Sequence, residues 1–175
     1  MRTLNIPTNA LEIYKLLPEG TRCEVLYNVL TMSPAPSILH QTIAVKLTAL
    51  LFNLLNSSNE GIVLAAPVDV YFEEEQSVVQ PDLLVVLHDN QSIIRDKGIY
   101  GAPDIIIEIL SGNRLNDVVN KKELYAKTGV KEYFIIDPTN KQVNLFAGTG
   151  TGRFTSVFET QGKIVSALLR TTLEF

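Results

Sequence analysis

The sequence predicts an α/β fold in which a mixed central sheet is flanked by helices, preceded by an N-terminal hairpin and followed by a C-terminal antiparallel extension. Three observations predict it. Residues 104–110 are nearly continuous in β-branched side chains, the pattern of a strand covered on both faces. A helical pattern from about residue 116 to residue 128 stops at Gly129, and a second apolar run follows over 130–137, so this half reads strand, helix, strand with parallel pairing. Residues 142–147, 154–158 and 164–169 alternate with Gly/Thr-rich turns, which gives the antiparallel extension.

The remaining elements are justified from the N-terminus onward. Asn9 with Glu12 three positions later is a capping arrangement, and Leu11, Tyr14 and Leu17 recur at helical spacing until Pro18-Glu19-Gly20 stops them. Residues 22–27 and 29–33 are β-formers around Asn28 and predict a hairpin. A long helix is expected over 37–55, with Ser37 as N-cap and Ile43, Leu47, Leu50, Leu51 and Leu54 on one stripe. Strands are expected at 62–65, 68–72 and 82–87, in meander order, with Glu73-Glu74-Glu75-Gln76 closing the middle one.

A chain of 175 residues that is 46% hydrophobic and 19% charged can bury one full core, so residues 1–175 are expected to form one domain. The only cysteine, Cys23, cannot form an internal disulfide and suits a reducing cytoplasm as a buried spectator. No signal-peptide pattern opens the chain and no membrane span is expected. The net charge of −4 argues against gripping nucleic acid by bulk electrostatics. Between Arg114 and Lys131, however, five basic residues face two acidic ones. No zinc-spaced His/Cys cluster, nucleotide-binding glycine loop or nucleophile triad is present, and Thr149-Gly150-Thr151-Gly152 reads as a hairpin turn.

Two acids interrupt apolar strand patterns. Asp82 opens Leu83-Leu84-Val85-Val86-Leu87, and Glu108 sits inside a run that is otherwise aliphatic. A carboxylate buried without a partner costs several kcal/mol, so Glu108 must meet a cation, a donor or a metal; an internal salt bridge would satisfy it equally. If the two strands are neighbours, the carboxylates stand about 5 Å apart on one face, close enough to share a hard cation. Mg2+ or Mn2+ suits such a pair, because it leaves coordination positions for a phosphate oxygen and a water. A lysine from Lys121 or Lys122 would add a positive point charge. Helical periodicity through Leu115, Val118, Val119 and Tyr125 puts Lys122 nearer the apolar face and Lys121 on its border, where it could instead pair with Asp117.

His40 lies at the N-terminal end of the Ile43, Leu47, Leu50 stripe, either as a core histidine or at the mouth of the site. Asp104 is about 13 Å along the strand from Glu108 and reads as a strand-end cap. Tyr125 reads as packing, and Ser111 as a cap for the turn after its strand.

Pro81-Asp82, Glu108-Ile109-Leu110 and Lys121 together resemble the PD-(D/E)XK nuclease superfamily, except that its lysine position, two residues after the second acid, is here Leu110. The chain is similar to the Uma family of endonucleases, a branch in which the lysine has migrated to the next helix. Met32-Ser33-Pro34 with His40, Gln80-Pro81-Asp82, Ala102-Pro103-Asp104, Glu108-Ile109-Leu110-Ser111, Asp117 with Lys121 and Tyr125, Gly129-Val130, Glu132-Tyr133 and Ile136-Asp137-Pro138 match its motifs in order. The resemblance implies a restriction-endonuclease-like fold, Asp82 and Glu108 as metal ligands, Lys121 as the catalytic lysine and DNA as substrate. A catalytically silent nuclease-like binding or assembly module is the alternative, favoured by the acidic balance. A homodimer paired through the C-terminal strands is also expected.

Overall fold

A computed structural model describes residues 6–111 and 115–175, with the side chains of 115–118 outside the description. The expectations placed on Met1 to Asn5, on Arg114 and on an Asp117–Lys121 pair therefore fall outside the described residues.

The chain order is α1 (Ala10–Tyr14), β1 (Cys23–Leu26), β2 (Val29–Met32), α2 (Ile38–Ser58), β3 (Gly61–Ala65), β4 (Val70–Phe72), β5 (Ser77–Val79), β6 (Leu83–Leu87), β7 (Ile94–Arg95), β8 (Gly98–Tyr100) and β9 (Ile105–Ile109). It continues with α3 (Leu115–Thr128), β10 (Glu132–Ile136), β11 (Gln142–Gly148), β12 (Phe154–Gln161), β13 (Lys163–Ser166) and β14 (Thr171–Glu174). One sheet runs β2-β1-β5-β4-β8-β7, the other β12-β11-β10-β9-β6-β3, and β13-β14 forms a separate ribbon. This is the mixed α/β architecture the sequence predicts, with two large sheets in place of one.

Local chemistry accounts for the early elements. The Asn9 side chain accepts the Glu12 N–H at 2.9 Å and starts α1. Tyr27 and Asn28 take positive φ values of 48° and 65°, the two-residue turn that best matches hairpin twist, and join β1 to β2. Ser37 caps α2 by accepting the His40 N–H at 3.2 Å.

The expected meander does not form. β3 pairs directly with β6, from Gly61 opposite Leu87 to Ala65 opposite Leu83, while β4 leaves for the other sheet and pairs with β5 and β8. Strand patterning marks where strands are, but not which partner buries them. The three-residue strand β5, and β7 and β8, are too short to carry a readable alternation. The run 164–169 also resolves differently, into β13 and a turn leading to β14.

Parallel β9–β10 pairing and antiparallel β6–β9 pairing build the centre of the second sheet. Ile105, Ile107 and Ile109 face a cluster with Ile43, Leu47, Leu51 and Leu55 of α2. Ile106, with Leu84 and Val86 of β6, faces the opposite way, toward Leu124 and Tyr125 of α3 and Val70, Phe72 and Val79 of the first sheet. Glu108 shares its parity with Ile106 and so belongs to the second face. Contrary to the expectation that no segment reaches membrane-spanning character, α2 is long and apolar enough by length and composition alone, with a mean hydropathy of 1.5. Core helices pass the same test, and one stripe of α2 is packed on the sheet.

Candidate active site

Asp82 immediately precedes β6, and β6 runs antiparallel to β9 with Leu83 opposite Ile107, so the next residue pair out along the ladder is Asp82 and Glu108. The Asp82 Oδ2 accepts the backbone N–H of Ile109 at 2.8 Å and lies 3.0 Å from His40 Nε2. His40 is buried, which places it in the site and not merely on the core stripe. His40 Nδ1 is buried with no hydrogen-bond partner among the described residues.

On the other side of the pair, Glu108 Oε1 accepts Lys121 Nζ at 3.0 Å and the Tyr125 hydroxyl at 2.8 Å. The same ammonium donates to Glu24 Oε1 at 2.8 Å, and that oxygen also accepts the Gln80 N–H at 2.7 Å. Glu24, Lys121 and Glu108 thus form a buried carboxylate–ammonium–carboxylate row, with side-chain exposures of 8%, 8% and 12%.

Burial pushes the Glu108 carboxyl up to about 7; Lys121 opposes that rise, and the Asp82 and Glu24 charges add to it. Burial pulls the Lys121 ammonium down, but Glu108 and Glu24 more than offset it, so its proton is held more tightly than in water. Burial first, and then the neighbouring Glu108 charge, raises the Tyr125 hydroxyl well above the usual phenol range, so it stays protonated and donates to Glu108.

The site opens into a cleft of about 170 Å3 whose wall includes Arg22, Gln41, Pro34 and Ser111 besides the acids and Lys121. Asp82 Oδ1 and Glu108 Oε2 accept no hydrogen bond among the described residues, so each acid keeps one oxygen uncommitted beside the cleft. Two such oxygens fit a hard cation that takes one or two protein carboxylates and keeps its waters. Among the described residues no group of three or more His, Cys, Asp or Glu is arranged to hold a metal.

Sequence reasoning left the lysine open, and the structure separates the two candidates. Lys121 is buried in the site, whereas Lys122 Nζ sits 3.6 Å over the Phe146 ring. Periodicity that leaned on Val119 misplaced the face, because Val119 is 65% exposed; the buried face runs through Leu124 and Tyr125, three and four residues after Lys121. Tyr125, read as packing, is also a donor to Glu108. Asp104 is the strand-end tie that its position predicts: it accepts from Leu87 N–H at 2.8 Å, Asn90 at 3.1 Å and Lys131 at 2.6 Å, away from the acids. Ser111 lines the cleft.

Glu24 was missed as a site residue. Its signal was the same as that of Glu108, an acid inside the otherwise apolar run Cys23-Glu24-Val25-Leu26.

A strand-borne acid pair with a lysine from the next helix on a mixed sheet is the arrangement that the resemblance to the Uma branch leads one to expect. A solved structure described as a putative nuclease belonging to DUF820, from Anabaena variabilis ATCC 29413, superposes with a TM-score of 0.77 over 96% of this chain and 95% of that one, at 18% identity. The model of the Uma2 family, described as "Putative restriction endonuclease", matches residues 10–174, and the chain belongs to that family. No curated protein matches.

Proposed function

We propose that this protein is a metal-dependent endonuclease that hydrolyses phosphodiester bonds in DNA, with Asp82 and Glu108 as the protein ligands of Mg2+ or Mn2+. The observation that carries the reading is a pair of carboxylate oxygens that accept no hydrogen bond among the described residues, beside a buried lysine in one cleft. A bound divalent cation would supply Lewis acidity toward a phosphate oxygen and lower the pKa of a bound water. The protein supplies the rest. His40 and the Ile109 N–H fix Asp82 by its Oδ2, and Oδ1 accepts no hydrogen bond among the described residues. Tyr125 and Lys121 fix Glu108 by Oε1. Lys121 carries the charge that orients the attacking water and offsets charge developing on the phosphate. Arg22, exposed on the cleft wall, meets a phosphate of the same strand.

The test is plasmid nicking by wild-type and Glu108→Ala protein with Mn2+, Mg2+ or EDTA at low salt. Nicking that needs metal and disappears in the variant, with the fold retained by circular dichroism, is the expected result; equal nicking by the variant overturns the assignment. The silent-module reading is favoured by the net charge of −4 and by a lysine already paired to two carboxylates. It predicts no thermal stabilisation by either cation.

We take the working form to be a homodimer. β12 is the outer strand of its sheet, and a free edge is a template for pairing with a second copy across a two-fold axis. A monomer by light scattering at assay concentration removes that part.

A further inference from the structure

Lys121 is bonded to two carboxylates, and only one of them belongs to the proposed cation pair. We propose that the other, Glu24, is a positioning residue that holds the lysine in the site when Glu108 engages a cation. The proposal rests on the nuclease reading for its purpose, but not for its geometry.

Glu24 is fixed independently of the proposed cation pair. It projects from β1, which is paired on both sides by β2 and β5, and its Oε1 is pinned by the backbone N–H of Gln80 at 2.7 Å. Gln80 is itself held by its side-chain amide, which donates to Asp69 at 2.9 Å and to the Tyr14 hydroxyl and the Thr21 carbonyl at 3.3 Å each. Asp69 in turn accepts the Tyr14 hydroxyl at 2.6 Å and the Tyr71 hydroxyl at 2.9 Å. The anchor is thus the end of a network running through α1 and the first sheet. Glu108 projects from β9, itself paired on both sides, and among the described residues its carboxylate is held by Tyr125 and by the lysine it is holding.

A dication at Glu108 repels the neighbouring ammonium, since like charges a few Å apart in a poorly solvated site interact strongly. A lysine tethered by Glu108 alone would be driven off at the moment it is needed. Glu24 offsets that repulsion with a fixed negative charge on the far side of the ammonium. Glu24 is not a third ligand: with Asp82, Glu108 and His40 it forms no group of three able to hold one ion among the described residues.

The experiment compares Glu24→Gln, Glu24→Asp, Glu108→Gln and wild type in the full chain, each first checked for an intact fold by circular dichroism. The first readout needs neither metal nor activity: the rate at which an amine-acylating reagent modifies Lys121, followed by peptide mass spectrometry. Protection of Lys121 should persist in Glu108→Gln and fall at least about tenfold in Glu24→Gln, with Glu24→Asp between. Equal protection in the two Gln variants overturns the anchor. The second readout adds Mn2+, bound by calorimetry. Glu24→Gln should keep its Mn2+ Kd within about fivefold of wild type, and Mn2+ should further deprotect Lys121 in this variant only; a Kd raised thirtyfold or more makes Glu24 a ligand and overturns the proposal. In the nicking assay, kcat should fall about a hundredfold with KM little changed, and Glu24→Gln/Lys121→Ala should be no slower than Lys121→Ala alone, as for residues acting as one unit. Additive losses overturn it. If wild type neither nicks nor binds metal, the functional reading fails while the acylation result still decides the anchor.

Discussion

Two adjacent lysines have different consequences because their side chains end in different surroundings. Removing Lys121 leaves Glu24 and Glu108 buried against each other, and loss of one partner from a buried ion pair costs about 3–5 kcal/mol. Lys122 over Phe146 is worth about 0.5–1 kcal/mol. Urea unfolding of Lys121→Ala and Lys122→Ala should show that gap, and equal midpoints would contradict the buried row. Glu108 gives a pH prediction whose sign follows from its raised pKa. Its folded value, about 7, lies above the ordinary 4.5, so the folded state binds the proton more tightly. Its contribution to stability is fully present below about 4.5 and is lost as pH rises through about 7. In metal-free protein, Glu108→Gln should flatten the decline in stability between those pH values. Proton uptake also competes with a cation, so Mn2+ affinity should weaken as pH falls below about 7, measured by calorimetry in a chelator-free buffer.

At the scale of elements, two buried acids far from the candidate cation pair hold strands together. Asp104, at the start of β9, ties the end of β6 through the Leu87 N–H and the start of β10 through Lys131. Asp104→Ala strands the Leu87 N–H, at about 1–3 kcal/mol, while the Asn90 amide keeps the Ala102 carbonyl at 3.0 Å. Mn2+ affinity should be unchanged in that variant if its fold persists; a loss in parallel with stability would place Asp104 in the site after all. Glu132, at the start of β10, accepts the Ser166 hydroxyl at 2.6 Å and the backbone N–H groups of Ala167 and Leu168 at 2.8 and 3.0 Å. Glu132→Ala should therefore raise hydrogen exchange in β13 and β14 before it affects β9, a local opening and not a global one.

For the whole molecule, on the proposed nuclease reading, the acidic balance limits how nucleic acid would be held. Among the described residues lining the cleft the cationic side chains are Arg22 and Lys121, so about two phosphates would be neutralised and log affinity should fall against log salt with a slope near −2. A much steeper slope would mean that a further basic surface takes part. Saturating Mn2+, at a hundred times its Kd, should stabilise the protein by about 2.7 kcal/mol. The sequence by itself determined the types of the longer elements and the two anomalous acids, because local propensity and an acid inside an aliphatic run are properties of neighbouring residues. It placed β9, α3 and β10 in order and marked Asp82, Glu108 and His40. Its motif order, not its periodicity, favoured Lys121. Only the tertiary structure decided that β4 leaves β3 for another sheet, that Lys121 and not Lys122 is buried, and that Glu24 joins the row from 97 residues away. Those outcomes depend on which faces meet across the core, and burial between distant segments leaves no periodic trace in either segment alone.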